Sequence, residues 1–123
     1  MTVREALAEG AAALERAEAP SPEVDAEWLL AHVLGLRRSE LHGAGGELAT
    51  VELDRYRALV ARRASREPLA YVLGEWGFRR LTLAVDPRVL VPRPETESVV
   101  ERCLDLLRSV EAPTVLDVGT GSG

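Results

Sequence analysis

Three glycines at alternate positions close the sequence. Gly119, Gly121 and Gly123 follow the apolar run Val115-Leu116-Asp117-Val118, so an extended segment passes abruptly into a loop with almost no side chains. A loop of that kind lets a ligand touch backbone, although glycine also serves any plain strand-to-turn junction.

The spacing refines the chemistry. A dinucleotide fingerprint reads G-x-G-x-x-G, whereas Gly119-Thr120-Gly121-Ser122-Gly123 brings its third glycine one residue early. That spacing favours S-adenosylmethionine over NAD, because the sulfonium nucleoside carries no pyrophosphate to seat on a helix N-terminus. No other constellation competes. His32 has no Cys, Asp or second His at metal-ligand spacing, and the single cysteine, Cys103, excludes both an internal disulfide and a cysteine zinc cluster.

The elements that must position this loop can be read in order. Thr2 and Glu5 form a capping box for a first helix whose inward positions are Val3, Leu7, Ala11 and Leu14, ended by Pro20. Ser21-Pro22-Glu23 caps a second helix with Val24, Trp28, Ala31 and Leu34 on one stripe, and Gly35 at its left-handed end. Residues 37–41 suggest a short third helix, and Thr50 caps a fourth with Leu53, Tyr56, Val60 and Ala64 inward. Pro68 opens a brief turn, 69–73, that closes at Gly74.

Period two then replaces the helical period. Residues 75–78 and 81–85, separated by Arg79-Arg80, predict a hairpin, and Asp86-Pro87 ends it. Pro92-Arg93-Pro94 is held extended up to Glu95, where a helix begins and runs to about Val110. Val99, Val100, Cys103, Leu104 and Leu107 form its expected buried stripe, with Cys103 an inert core thiol, and Glu95 and Glu97 place acids where the helix dipole favours them. Helix, strand and glycine loop in succession are the opening of an α/β sheet.

The expected fold is therefore an α-helical N-terminal bundle, a β-hairpin connector and the truncated start of a Rossmann-like α/β domain. The corresponding divisions are residues 1–74, 75–92 and 93–123.

With 123 residues, 46% of them hydrophobic, the chain can bury an ordinary core. No run reaches the roughly 18 apolar residues of a membrane span, and no secretory leader is visible, so a cytoplasmic setting is expected. All 15 basic residues are arginine. Residues 1–54 carry 4 Arg and 11 acids, 55–93 carry 9 Arg and 3 acids, and 94–123 carry 2 Arg and 6 acids. A basic middle between acidic ends could meet RNA or an acidic partner; pairing between segments of the same chain is the preferred explanation, and direct nucleic-acid binding is not expected.

The runs Arg66-Glu-Pro-Leu-Ala-Tyr-Val-Leu-Gly74, Phe78, Val89-Leu-Val-Pro-Arg-Pro-Glu-Thr-Glu97 and Val115-Leu-Asp-Val-Gly-Thr-Gly-Ser-Gly123 together resemble the protein-(glutamine-N5) methyltransferases that modify peptide-chain release factors, the PrmC/HemK family. The resemblance is specific over residues 66–123 and extends to the whole chain in layout, with the helical half similar to the family's N-terminal substrate-recognition bundle. It implies that Gly119, Thr120, Gly121, Ser122 and Gly123 line a site for S-adenosyl-L-methionine, and that Asp117 braces the loop or reaches the ligand's amino group. It also implies that Arg93, Pro94, Glu95 and Thr96 wall the same pocket, and that a release factor is the protein substrate.

The family's catalytic Asn-Pro-Pro-Tyr lies beyond the glycine loop, where this sequence stops, so the resemblance assigns no catalytic residue here. An acidic residue expected roughly 20 positions after the loop to hold the ribose is absent for the same reason. The competing expectations are a glutamine methyltransferase acting on a ribosomal protein, a nucleic-acid adenine methyltransferase and a helical recognition module without catalysis.

Overall fold

A computed structural model describes residues 1–123 and divides them into two compact units, Met1–Leu73 and Gly74–Gly123. In the first unit, α1 (Val3–Arg16) starts as its capping box requires. The Thr2 hydroxyl accepts from the Glu5 N–H at 3.2 Å while the Glu5 carboxylate accepts from the Thr2 N–H at 2.8 Å. Those bonds favour the ionised carboxylate and hold Glu5 below the usual range. The helix stops at Arg16 rather than at Pro20, because a proline ring there would meet the Arg16 carbonyl; Glu18 turns left-handed at φ 58° and the Ala19 N–H reaches back to Leu14 O at 3.0 Å.

Helix α2 (Pro22–Leu34) has Pro22 in its first turn and Gly35 left-handed at φ 65°, as the sequence predicts, but Ser21 makes no side-chain capping bond. Its inward face differs from the expected stripe. Ala26, Leu29, Leu30, Ala31 and Val33 are buried, whereas Val24 and Trp28 are 41% and 40% exposed. α2 packs against α1, the 3₁₀ helix Arg38–Gly43 and α3 (Thr50–Ala64), so it is buried over a wide arc, and a single narrow stripe does not describe it. Trp28 instead supports the guanidinium of Arg38, 5.2 Å from the ring centre. His32 is exposed.

Ala49, not Thr50, occupies the N-cap of α3, and the Glu52 carboxylate takes the Ala49 N–H at 2.8 Å. Tyr56 and Val60 are buried, with Leu53 and Ala64 packed beside them. Leu14, Leu29, Leu30, Leu41 and Tyr56 are the largest fully buried side chains, and Val72 of α4 (Leu69–Leu73) joins the same core. Tyr56 lies so close to Gly10 that a Cβ there would sit 1.9 Å from the phenolic oxygen. That hydroxyl has no hydrogen-bond partner, and burial pushes its pKa upward.

In the second unit, β1 (Glu75–Phe78) and β2 (Leu81–Ala84) pair antiparallel, with Phe78 opposite Leu81 and the two-residue turn Arg79-Arg80 between them. The Val85 N–H extends the ladder to Gly74 O at 3.1 Å. After the hairpin, the Asp86 carboxylate accepts from the Arg88 N–H at 2.9 Å and pairs with its guanidinium, contacts that hold Asp86 at about 2. Helix α5 (Pro94–Leu107) begins at Pro94 itself, one residue before the expected Glu95, and is followed by a turn to Val110.

Two expectations fail here. No residue of α5 is buried: Val99 and Leu104 are 62% and 45% exposed, and Cys103 is an exposed thiol rather than a core one. Residues 113–118 form no strand, and Val115, Leu116 and Val118 are exposed. Both follow from one cause. A strand needs a neighbour to take its N–H and C=O groups, and an amphipathic helix needs a sheet face to cover its apolar stripe; residues 1–123 supply a two-stranded hairpin and no wider sheet. The expected start of a Rossmann-like domain is therefore not seen: residues 93–123 form a helix and an irregular segment with no α/β layer.

Candidate functional site

All ten candidate cofactor-binding residues lie in the second unit, in two groups. The first group is the start of α5. Arg93 is its N-cap, extended at ψ 149°, and Pro94 is the first helical residue, whose missing N–H costs nothing at that position. Glu95 and Thr96 follow in the first turn; the Thr96 N–H donates to Arg93 O at 3.1 Å, and all four side chains are exposed. The first turn thereby presents a guanidinium, a carboxylate and a hydroxyl to solvent on a backbone fixed by proline.

The second group is the glycine loop. Gly119, Gly121 and Gly123 have φ of 73°, 63° and 103°, a region that side-chain-bearing residues rarely occupy. The Gly123 N–H closes a turn onto Thr120 O at 3.1 Å. A Cβ added at any of the three would meet nothing within 4 Å, so backbone conformation, not crowding, demands glycine, and the loop's main chain stays open to a ligand. Asp117 is exposed just before the loop and Ser122 is half-buried within it. These features leave main-chain groups of the loop accessible to a ligand. No hydrogen bond or ion pair joins the two groups of residues.

Glu97, which is not among the ten candidates, has a defined contact beside them. The Glu97 carboxylate, in the first turn of α5, accepts from the Arg79 N–H at 2.7 Å. Arg79 is the first residue of the hairpin turn and adopts φ 53° without being glycine. The sequence shows Glu97 as a helix-dipole acid, but the spacing of 18 residues to its donor belongs to no local pattern.

The arginines of the bundle are largely engaged within it. Arg57 holds Glu9 at 2.6 Å, Arg62 holds Glu67 through Nε at 2.9 Å, and Arg66 lies 3.6 Å from Glu18. Arg57 and Arg62 keep Glu9 and Glu67 below the usual carboxylate range. Arg63 reaches the buried Asp25 at 2.8 Å and also donates to Glu67 O at 3.1 Å, tying α2 to the end of α3. Much of the basic middle segment is thus spent on intramolecular pairing. A surface cavity of about 670 Å³ is lined by Thr2, Val3, Leu41, His42 and the glycines at 43, 45 and 46, and it holds none of the ten candidates. No helix is long and apolar enough to cross a membrane.

Residues 5–74 match the family described as the PrmC N-terminal domain. Among curated relatives, a release factor glutamine methyltransferase of Deinococcus radiodurans is 50% identical over 126 residues, covering 100% of this chain and 45% of the relative. One from Streptomyces coelicolor is 46% identical over 123 residues, covering 95% of this chain and 42% of the relative. Another, from Burkholderia pseudomallei, is 47% identical over 114 residues, covering 92% and 40%. The chain spans less than half the length of these relatives.

Proposed function

Because the chain belongs to the family of the PrmC N-terminal domain, we propose that it is the recognition and donor-binding part of an enzyme that methylates the N5 of glutamine in the Gly-Gly-Gln motif of peptide-chain release factors. The observation that carries the proposal is the co-occurrence of the Pro92–Glu97 run and the left-handed glycine loop in a chain whose relatives bear that enzyme's name. The setting is translation termination in the cytoplasm. Residues 1–74 recognise the protein substrate, 75–92 connect, and 93–123 begin the methyltransferase domain.

In this reading S-adenosylmethionine supplies a methyl group already activated by its sulfonium. The backbone of Gly119, Thr120, Gly121, Ser122 and Gly123 grips it, Asp117 meets its amino group, and Arg93, Pro94, Glu95 and Thr96 form a wall of the pocket. An amide nitrogen is a poor nucleophile because its lone pair is delocalised into the carbonyl. The enzyme's task is therefore orientation, with acceptors on the N–H protons and the lone pair held in line with the methyl carbon. A bundle ahead of the catalytic domain suits a bulky protein substrate, since contacts far from the reacting atom can orient one side chain. Asp117 and Glu95 are assigned to the donor pocket, and no catalytic residue is assigned within residues 1–123.

The test is a mass measurement. Full-length protein, S-adenosylmethionine and a release factor are incubated, and the peptide carrying Gly-Gly-Gln is weighed. A gain of one methyl group on glutamine is the expected result, and an unchanged peptide mass refutes the proposal.

A further inference from the structure

We infer that Glu97 is a positioning residue, whose carboxylate holds the hairpin turn at Arg79 against the first turn of α5 and so fixes the wall formed by Arg93–Thr96. The inference rests on the function proposed above. Its physical basis is independent: a 2.7 Å bond from a backbone N–H to a carboxylate, spanning 18 residues of chain. It joins the β1–β2 turn to the first turn of α5.

Three features point the same way. First, the donor is a main-chain N–H, so the contact fixes the turn itself and not a flexible arginine head. Second, that turn residue is held at φ 53°, a conformation that a non-glycine residue keeps only when its surroundings favour it. Third, the acceptor sits in the same helical turn as Glu95 and Thr96, directly after the rigid Pro92-Arg93-Pro94, so restraint on Glu97 is restraint on the wall. The helix dipole also favours an acid at this position, but dipole compensation needs charge without a particular partner. The bond to Arg79 needs an acceptor at a particular place, and that difference makes the two roles separable.

The experiment uses full-length protein with S-adenosylmethionine and release factor. Methyl transfer is followed at varied donor concentration, and exchange of the Arg79 amide proton is followed by NMR. For Glu97→Ala, Arg79 exchange accelerates about tenfold or more and the donor KM rises by a similar factor, as expected for loss of a charge-assisted bond. The kcat at saturating donor stays within about twofold, since the reacting groups are untouched. Glu97→Gln keeps the acceptor and loses the charge, so both quantities stay within about threefold of wild type. Arg79→Gly retains the N–H, relieves the left-handed strain and stays close to wild type.

Unchanged KM or unchanged amide exchange in Glu97→Ala overturns the inference. Glu97→Gln behaving like Glu97→Ala also overturns it, because charge at the helix start would then carry the effect. A wild-type protein that transfers no methyl group refutes the proposed function and this inference with it, whereas an active wild type beside an unaffected Glu97→Ala refutes the inference alone.

Discussion

Replacing Gly10 by alanine sets two physical effects of opposite sign against each other. Gly10 lies in the interior of α1, where alanine is favoured over glycine by about 0.8–1.0 kcal/mol. The new Cβ, however, would lie 1.9 Å from the Tyr56 hydroxyl oxygen and 2.7 Å from Cζ. Real contacts of that kind exceed 3 Å, so the ring or the helix must give way. The ring is enclosed, with Tyr56 only 1% exposed, and forcing extra carbon into such a core costs typically 1–3 kcal/mol, with the high end fitting this overlap. The net expectation is destabilisation of about 2 kcal/mol. For a unit of this size that corresponds to a fall in Tm of roughly 8–16 °C.

Tyr56→Phe is the partner perturbation. It removes a buried hydroxyl that has no hydrogen-bond partner, so it should leave stability unchanged or raise it by about 1 kcal/mol. It also removes the closest atom in the clash, while Cζ remains too near. The double variant should therefore recover about 1 kcal/mol more of the loss caused by Gly10→Ala than Tyr56→Phe adds to the wild type. Urea unfolding of the four proteins measures this coupling. A Gly10→Ala protein at least as stable as wild type, or effects that simply add, would refute the close packing of α1 on α3.

Other consequences follow from the same geometry. Arg63→Met leaves Asp25 buried without its partner and should cost about 3–5 kcal/mol in denaturant unfolding, whereas Asp25→Leu with Arg63→Met should recover most of that loss. The carboxylates of Glu9 and Glu67 titrate lower in the folded chain than when unfolded, so their contribution is complete above the unfolded pKa and is lost as pH falls through the folded one. Unfolding followed from pH 6 to pH 3 should therefore show a shallower acid loss in Glu9→Gln than in wild type, and a small one, because the Arg57 pair is solvent-exposed. Gly121→Val puts a β-branched side chain at φ 63°, and calorimetry of the full-length protein should show at least about tenfold weaker binding of S-adenosylmethionine.

The legible parts of the fold are those decided within a few residues. The Thr2–Glu5 capping box and Gly35 in its left-handed conformation follow from local chemistry, the place of the hairpin follows from the period-two runs on either side of Arg79-Arg80, and the structure has all three. The face of α2 was less legible, because a helix packed on several sides buries Leu29, Leu30 and Val33 as readily as the stripe through Val24 and Trp28. The apolar residues of α5 and the run 115–118 carry a buried pattern without a buried outcome, since pattern reports what a segment is suited to pack against and not whether that partner lies within these residues. At the candidate site, Gly119, Gly121 and Gly123 sit in left-handed backbone, where glycine is the residue of least strain. The Glu97 to Arg79 bond has no sequence signature, because it is set by how a hairpin and a helix pack together.

In the function proposed here, the Arg93–Thr96 turn and the Asp117–Gly123 loop hold one methyl donor between them. Amide chemical shifts of the full-length protein, recorded as S-adenosylmethionine is added, test it directly. Coincident, saturable shifts in both segments with a single dissociation constant are predicted. Shifts confined to one segment, or absent from both at saturating donor, would contradict it.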